Sequence, residues 1–255
     1  MYNFISAGRV CLDISSWFQK LKDEFYLNFV KDDRYMYLVK GLWMTLKITF
    51  FAVLLGIALG VVAAIIRSTH DKIIKEMRPG FGKFLLKFFN FIVQLYLTII
   101  RGTPVVVQLM ITYYIIFASS TNALMVAVLA FGINSGAYVA EIIRSGIMSI
   151  DNGQFEAGRS LGFNYIQTMM YIIIPQAIKN VLPALANEFI VLIKETSISG
   201  YVGIMDLTRG GDVIRSRTFS PFMPLLAVAL IYLIIVVFFS KLVSILERRL
   251  RNSER

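Results

Sequence analysis

The sequence predicts an all-α integral membrane protein built on five transmembrane helices. Two observations carry that prediction. Of the 255 residues, 57% are hydrophobic, and the mean hydropathy is +0.68. A water-soluble domain this apolar would lack the polar surface to cover itself, so lipid is the solvent for much of the chain. Long apolar runs also alternate with polar, basic segments, the pattern of a chain that threads a bilayer repeatedly.

Residues 1–40 form an N-terminal segment that mixes charge with aromatics. Trp17, Phe18, Leu21, Phe25 and Phe29 are spaced as on an amphipathic helix lying at a surface; a plain solvated tail is the alternative. Arg9 and Asp13 break its first apolar stretch, so it does not read as a cleaved signal peptide. Residues 41–66 are the first spanning run, with Lys47 near one end. Residues 67–87 read as a basic loop. The second run, 88–118, is interrupted at Arg101-Gly102-Thr103-Pro104, where proline removes a backbone donor. The third, 122–150, holds the small-residue stretch Gly132-Ile133-Asn134-Ser135-Gly136, suited to close helix packing in lipid. The fourth, 181–204, carries Asn187, Glu188, Lys194 and Glu195. The fifth, 221–246, leads into a basic tail that ends with 250–255.

Five spans place the termini on opposite sides. Segments 67–87, 144–180 and 241–255 hold six, three and five Lys/Arg, whereas 119–122 holds none and 195–220 three; the N-terminal tail holds six, balanced by acidic residues, and is the one dissenting segment. Positive charge stays cytoplasmic, which puts the C-terminus inside and the N-terminus outside. The net charge of +10 fits anionic headgroups rather than nucleic acid, because no basic stripe is interleaved with stacking aromatics. One cysteine, Cys11, and one histidine, His70, exclude an intramolecular disulfide and a Cys/His metal cluster.

Segment 151–180 reads DNGQFEAGRSLGFNYIQTMMYIIIPQAIKN. A helix is expected from about Gln154. Gly162, Ile166, Met169, Met170 and Ile173 recur at helical spacing, with Asn164, Gln167 and Thr168 off that stripe and Pro175 interrupting it. On periodicity alone this is an amphipathic connector. Its spacing, however, resembles the EAA loop of ABC importer permeases: Glu156-Ala157-Gly158, three residues, Gly162, nine residues, Ile172, two residues, Pro175. Gly158 departs from the family's alanine. Arg101-Gly102-Thr103-Pro104 with Val107-Gln108-Leu109, the run 137–144, Pro175-Gln176-Ala177 and Lys194-Glu195-Thr196-Ser197 are similar to the polar amino-acid group, which carries histidine, arginine, glutamine and glutamate. The resemblance spans about 41–249 and leaves the first forty residues without a counterpart.

That resemblance implies a type I importer-like permease core in a bacterial plasma membrane, working by alternating access. It implies a second permease chain, two ATP-binding cassette subunits and an external amino-acid-binding protein. It implies no cofactor on this chain, with ATP and Mg on the ATPase partner; Gly80-Phe81-Gly82-Lys83 is not a phosphate-binding loop. Glu156, Ala157, Gly158, Gly162 and Phe163 would couple the chain to the ATPase.

Ionisable groups inside spans face a bundle interior or water. Glu188 and Glu141, with Asn187, Asn134, Tyr138 and Gln108 at nearby depths, are therefore the expected substrate-binding residues. For Glu188, bracing between helices is an equal alternative. Arg144, at i+3, offers Glu141 a structural partner. Arg101 is either a clamp for a substrate carboxylate or a marker of the kink, packed on carbonyls that Pro104 frees. A channel or secondary transporter would explain the spans but not the EAA spacing. An intramembrane enzyme would need a catalytic motif that the chain lacks.

Overall fold

The computed structural model describes the backbone of residues 7–252 and the side chains of residues 16–250. The start of the expected amphipathic tail and the last residues of the basic tail lie outside the described residues. Every element within them is helical: α1 (Ala7–Phe25), α2 (Tyr35–Ile73), α3 (Phe81–Gly102), α4 (Val105–Ile111), α5 (Ala123–Met148), α6 (Asn152–Ser160), α7 (Tyr165–Thr168), α8 (Ile174–Glu195), α9 (Leu207–Thr218) and α10 (Phe222–Asn252). Among the described residues, five segments are long and apolar enough to cross a membrane: Tyr35–Ile73, Phe81–Gly102, Ala123–Met148, Tyr165–Val202 and Phe222–Leu250.

The spans run further than their apolar stretches. The first has 39 residues, roughly 58 Å of helix against a hydrocarbon core of about 30 Å, so it projects well beyond lipid. Only residues 74–80 separate it from α3, and the expected loop 67–87 is mostly helix. Pro175 does not break the fourth span either. It sits in the first turn of α8, directly after a π-turn over Met169–Ile173 that joins α8 to α7. Pro104 does end a helix: α3 stops at Gly102 and the chain restarts as α4.

α2 packs most extensively on α5, and both carry glycines four residues apart at that contact. A Cβ on Gly60 would lie 2.4 Å from Val139, and one on Gly132 would lie 2.6 Å from Leu55. The core spreads from this contact through Ile48, Ala52, Leu109, Phe131 and Leu192, all fully buried. α10 instead turns Leu230, Leu233, Ile234 and Phe238 outward, as lipid allows.

One end of α2 meets α9, and the other reaches α6. At the α9 end, Asp206 is fully buried and caps α9, accepting from the backbone N–H groups of Thr208 and Arg209 at 3.0 and 3.3 Å. Leu207 donates its N–H to Thr45 Oγ1 at 3.1 Å. Burial raises the Asp206 carboxyl from 3.8 to about 6, against the lowering effect of those N–H groups. The folded chain thus holds the proton more tightly than the unfolded chain. The stabilisation is complete below the unfolded value and is lost as pH rises through about 6. Thermal stability should therefore fall across that window. Asp206→Asn keeps an oxygen for the cap, should flatten the profile, and should stabilise the neutral-pH protein by roughly 1–3 kcal/mol. Melting curves across the pH range check this, and an unchanged pH profile in Asp206→Asn contradicts it.

Candidate functional site

A cavity of about 550 Å³ opens between α3, α5 and α8, lined by residues that include Arg101, Tyr138, Glu141, Ser149, Asn180 and Glu188. Two stripes build its wall. Tyr138, Glu141, Ser145 and Ser149 recur at three- and four-residue steps along α5, and Asn180, Ala184 and Glu188 recur every fourth residue along α8. Such steps return to one face of a helix.

Glu188 is 8% exposed, and its Oε1 accepts from Ser135 Oγ at 2.9 Å. It therefore both lines the cavity and braces α8 on α5. Among the described residues no Lys or Arg pairs with it. Glu141 is held on two sides. Arg144 Nη2 donates to its Oε1 at 2.7 Å, and Arg101 Nη1 lies 3.7 Å from its Oε2. Arg144 also reaches Asp71 Oδ2 at 3.3 Å, so alternating charges link α2, α5 and α3.

The other expected site residues fall elsewhere. Gln108 and Asn134 are not among the cavity's lining residues, and Asn187 is exposed away from it. Gln108 Nε2 donates to the carbonyls of Ile100 and Thr103, at 2.7 and 3.1 Å, while its Oε1 accepts from Asn134 Nδ2 at 2.9 Å. Gln108 thus satisfies carbonyls that the break at Pro104 leaves without a helical donor. That is the work one of the two readings gave Arg101, which instead turns to the cavity, 5.8 Å from the Tyr138 ring centroid and beside Glu141. Sequence reasoning missed Ser145, Ser149 and Asn180, for which the two helical-step stripes were the available signal, and Ser135, which lies on neither stripe.

Segment 151–168 is folded by its own caps. Asp151 accepts from Gly153 N–H at 2.6 Å, and Asn164 and Gln167 form a reciprocal capping box at 2.9 Å each way. Between α6 and α7, Gly162 has φ +80°. It occupies a left-handed turn that strains other residues, so it lies in the turn and not on the apolar stripe. Phe155 and Gly158 face inward, while Glu156 and Ala157 face out. Ile173 is buried, but Ile166 and Met170 are 71% and 58% exposed. Thr168, expected on the polar side, is 2% exposed. The Phe163 ring lies 6.2 Å from that of Tyr171.

Gln108→Leu should leave the freed carbonyls unpaired and lower the stability of the assembled protein by roughly 1–3 kcal/mol. Half-saturating substrate should stay unchanged, because Gln108 lies outside the cavity wall. Melting temperature measured beside transport kinetics checks this, and an unaltered melting temperature contradicts it.

Residues 56–252 match the family described as the inner membrane component of binding-protein-dependent transport systems. A putative glutamine transport system permease protein of Rickettsia typhi is 38% identical over 218 residues, covering 84% of this chain and 93% of that protein. The arginine transport system permease protein of Bacillus subtilis is 35% identical over 221 residues, covering 86% and 94%. A solved amino acid ABC transporter with histidines is 43% identical, with a TM-score of 0.75 over 87% of this chain and 98% of that one. An inward-facing methionine ABC transporter, 20% identical with a TM-score of 0.70 over 86% and 99%, shares the fold. The chain belongs to the family of binding-protein-dependent inner membrane transport components, and it is a permease component of an amino-acid ABC importer.

Proposed function

We propose that the chain carries a polar, zwitterionic amino acid through the α3–α5–α8 cavity by alternating access. The observation that carries this is the mixed charge of the cavity wall. An α-amino acid presents a carboxylate and an ammonium group. Arg101, 44% exposed and 3.7 Å from Glu141, is placed to take the carboxylate. Glu188, which has a hydroxyl partner but no cation, is placed to take the ammonium group.

The drive would come from two ATP-binding cassette subunits docked at the α6 end, holding ATP and Mg themselves. A second permease chain would complete the pathway, and an external binding protein would deliver the substrate. The surface of the α6–α7 segment supports the docking. Outward-facing Glu156 and Ala157 sit beside Leu161 and Ile166, each 71% exposed. Large apolar side chains on a polar turn suit a protein partner. The Lys/Arg bias of the loops supports a cytoplasmic position for that segment and the C-terminus, with the N-terminus outside.

Glu188→Gln keeps the acceptor for Ser135 and removes the charge. If the ammonium contact is charge-assisted, the loss is about 1.5–3 kcal/mol, so half-saturating amino acid for ATP hydrolysis in the reconstituted complex should rise about tenfold or more. The rise should be larger for a cationic amino acid. An unchanged half-saturation point with a lowered melting temperature assigns Glu188 to bracing alone. For orientation, a cysteine at Thr121 should react with an impermeant reagent in intact cells, and one at Asn152 only after permeabilisation; the reverse pattern refutes the topology.

A further inference from the structure

We infer that Lys72 is a positioning residue that ties the coupling helix α6 to the first span, so that α2 carries displacement of α6 to the opposite end of the bundle. This rests on the coupling role proposed above for the α6–α7 segment.

α6 is anchored to the bundle through Phe155. That ring is 7% exposed and sits among Ile147, Ile173 and Ala177, from α5, the π-turn and α8. Lys72, in the last turn of α2, lies against the same ring, its Nζ 4.1 Å from the centroid. The same ammonium donates to Asn152 Oδ1 at 2.9 Å. One cation thus holds both the anchor ring of α6 and its first residue. Two directional contacts from one group fix position, which apolar packing alone does not.

Around this clasp the two helices stand apart. A cavity of about 420 Å³, lined also by Glu76, Glu156, Arg159 and Tyr165, separates the end of α2 from α6 and α7. A second bridge across it, Arg159 to Glu76 at 3.5 Å, joins side chains 64% and 68% exposed, where water and salt screen the pair, and Tyr165 of α7 also meets Thr69 of α2. Lys72 is the bridge that grips α6 itself at two points, its anchor ring and its first residue.

The far end of α2 shows what the tie would move. There Gly41 approaches the Asp206 carbonyl so closely that a Cβ would lie 2.5 Å from it, and Gly210 approaches the Tyr37 carbonyl as closely. A continuous helix of 39 residues touches α6 at one end and α9 at the other, with close backbone contact at the α9 end. A single unbroken helix carries displacement along its length more directly than the α6–π–α8 path, which is interrupted by the left-handed turn at Gly162 and changes to π-helical winding over Met169–Ile173.

The test uses the complex reconstituted with its ATPase chains and amino acid. Lys72→Met keeps a stem over Phe155 and removes the cation and the donor. The ATPase chains should still co-purify at the wild-type ratio. ATP hydrolysis should continue but lose its stimulation by substrate, and amino acid moved per ATP should fall roughly tenfold. Lys72→Arg should restore most of the ratio, and Glu76→Gln should behave as wild type. A normal transport-to-hydrolysis ratio in Lys72→Met overturns the inference. Loss of the ATPase chains from Lys72→Met also overturns it, because Lys72 would then be a docking contact. Gly162→Val separates this from the coupling role itself, since its φ of +80° strains any side chain. Normal transport by Gly162→Val refutes the coupling role. Defective Gly162→Val with normal Lys72→Met refutes the Lys72 inference alone.

Discussion

The structure hangs on the close approach of α2 and α5. In lipid, apolar side chains gain nothing by leaving a hydrocarbon solvent, so helices associate through van der Waals contact and hydrogen bonds, and small residues decide where. Gly56 and Gly60 on α2 face Ser135 and Val139, while Gly132 and Gly136 on α5 face Leu55 and Leu59. Each helix supplies the hollow for the other's side chains. The approach also fixes the polar contacts nearby. Tyr96 Oη, at 2.8 Å from a notional Cβ on Gly136, donates to the Ile133 carbonyl at 2.6 Å and draws α3 onto α5. Ser135, pressed against Gly56, is held at the depth where its hydroxyl meets Glu188. The cavity wall is thus a by-product of a glycine seam.

Two kinds of polar contact then divide the labour in that wall. The Ser135–Glu188 bond is buried, with Glu188 8% exposed at the cavity wall. The Asp71–Arg144–Glu141–Arg101 chain has side chains 26–44% exposed, so each link is worth about 1 kcal/mol or less. Such links do not cement helices. They keep the charges of the wall paired. The longest, Arg101 to Glu141 at 3.7 Å, joins the charge nearest the break in the second span.

The spans and the family were legible because each rests on short-range pattern: apolar runs, a proline, a fixed motif spacing. Boundaries were less legible because a helix does not end where its hydrophobicity does. Arg67–Ile73 continues α2 with its backbone bonds intact, and polarity alone carries no stop signal. Contacts between spans were not legible at all. Ser135 and Glu188 are 53 residues apart, and nothing local says that the serine serves the glutamate. Gln108 was legible as polar and in a span, but its task depends on which carbonyls Pro104 frees, and those belong to the preceding helix. Of the two readings of Arg101, packing on the freed carbonyls fails for the same reason: a closer donor already served them.

The motif's one departure has a steric cause that the spacing could not show. At Gly158, where the family pattern has alanine, a Cβ would lie 2.7 Å from both Oγ1 and Cγ2 of Thr168. Thr168 is 2% exposed and β-branched, so its side chain has few rotamers in a helical turn and little room to yield. Gly158 and Thr168 therefore form a matched pair across the α6–α7 turn: the methyl missing from one is replaced by the branched side chain of the other. The packing of the segment is preserved not because glycine is small, as the motif alone suggests, but because a residue ten positions later fills the space. An alanine restored at 158 would complete the family pattern and disturb the fold that the pattern usually marks.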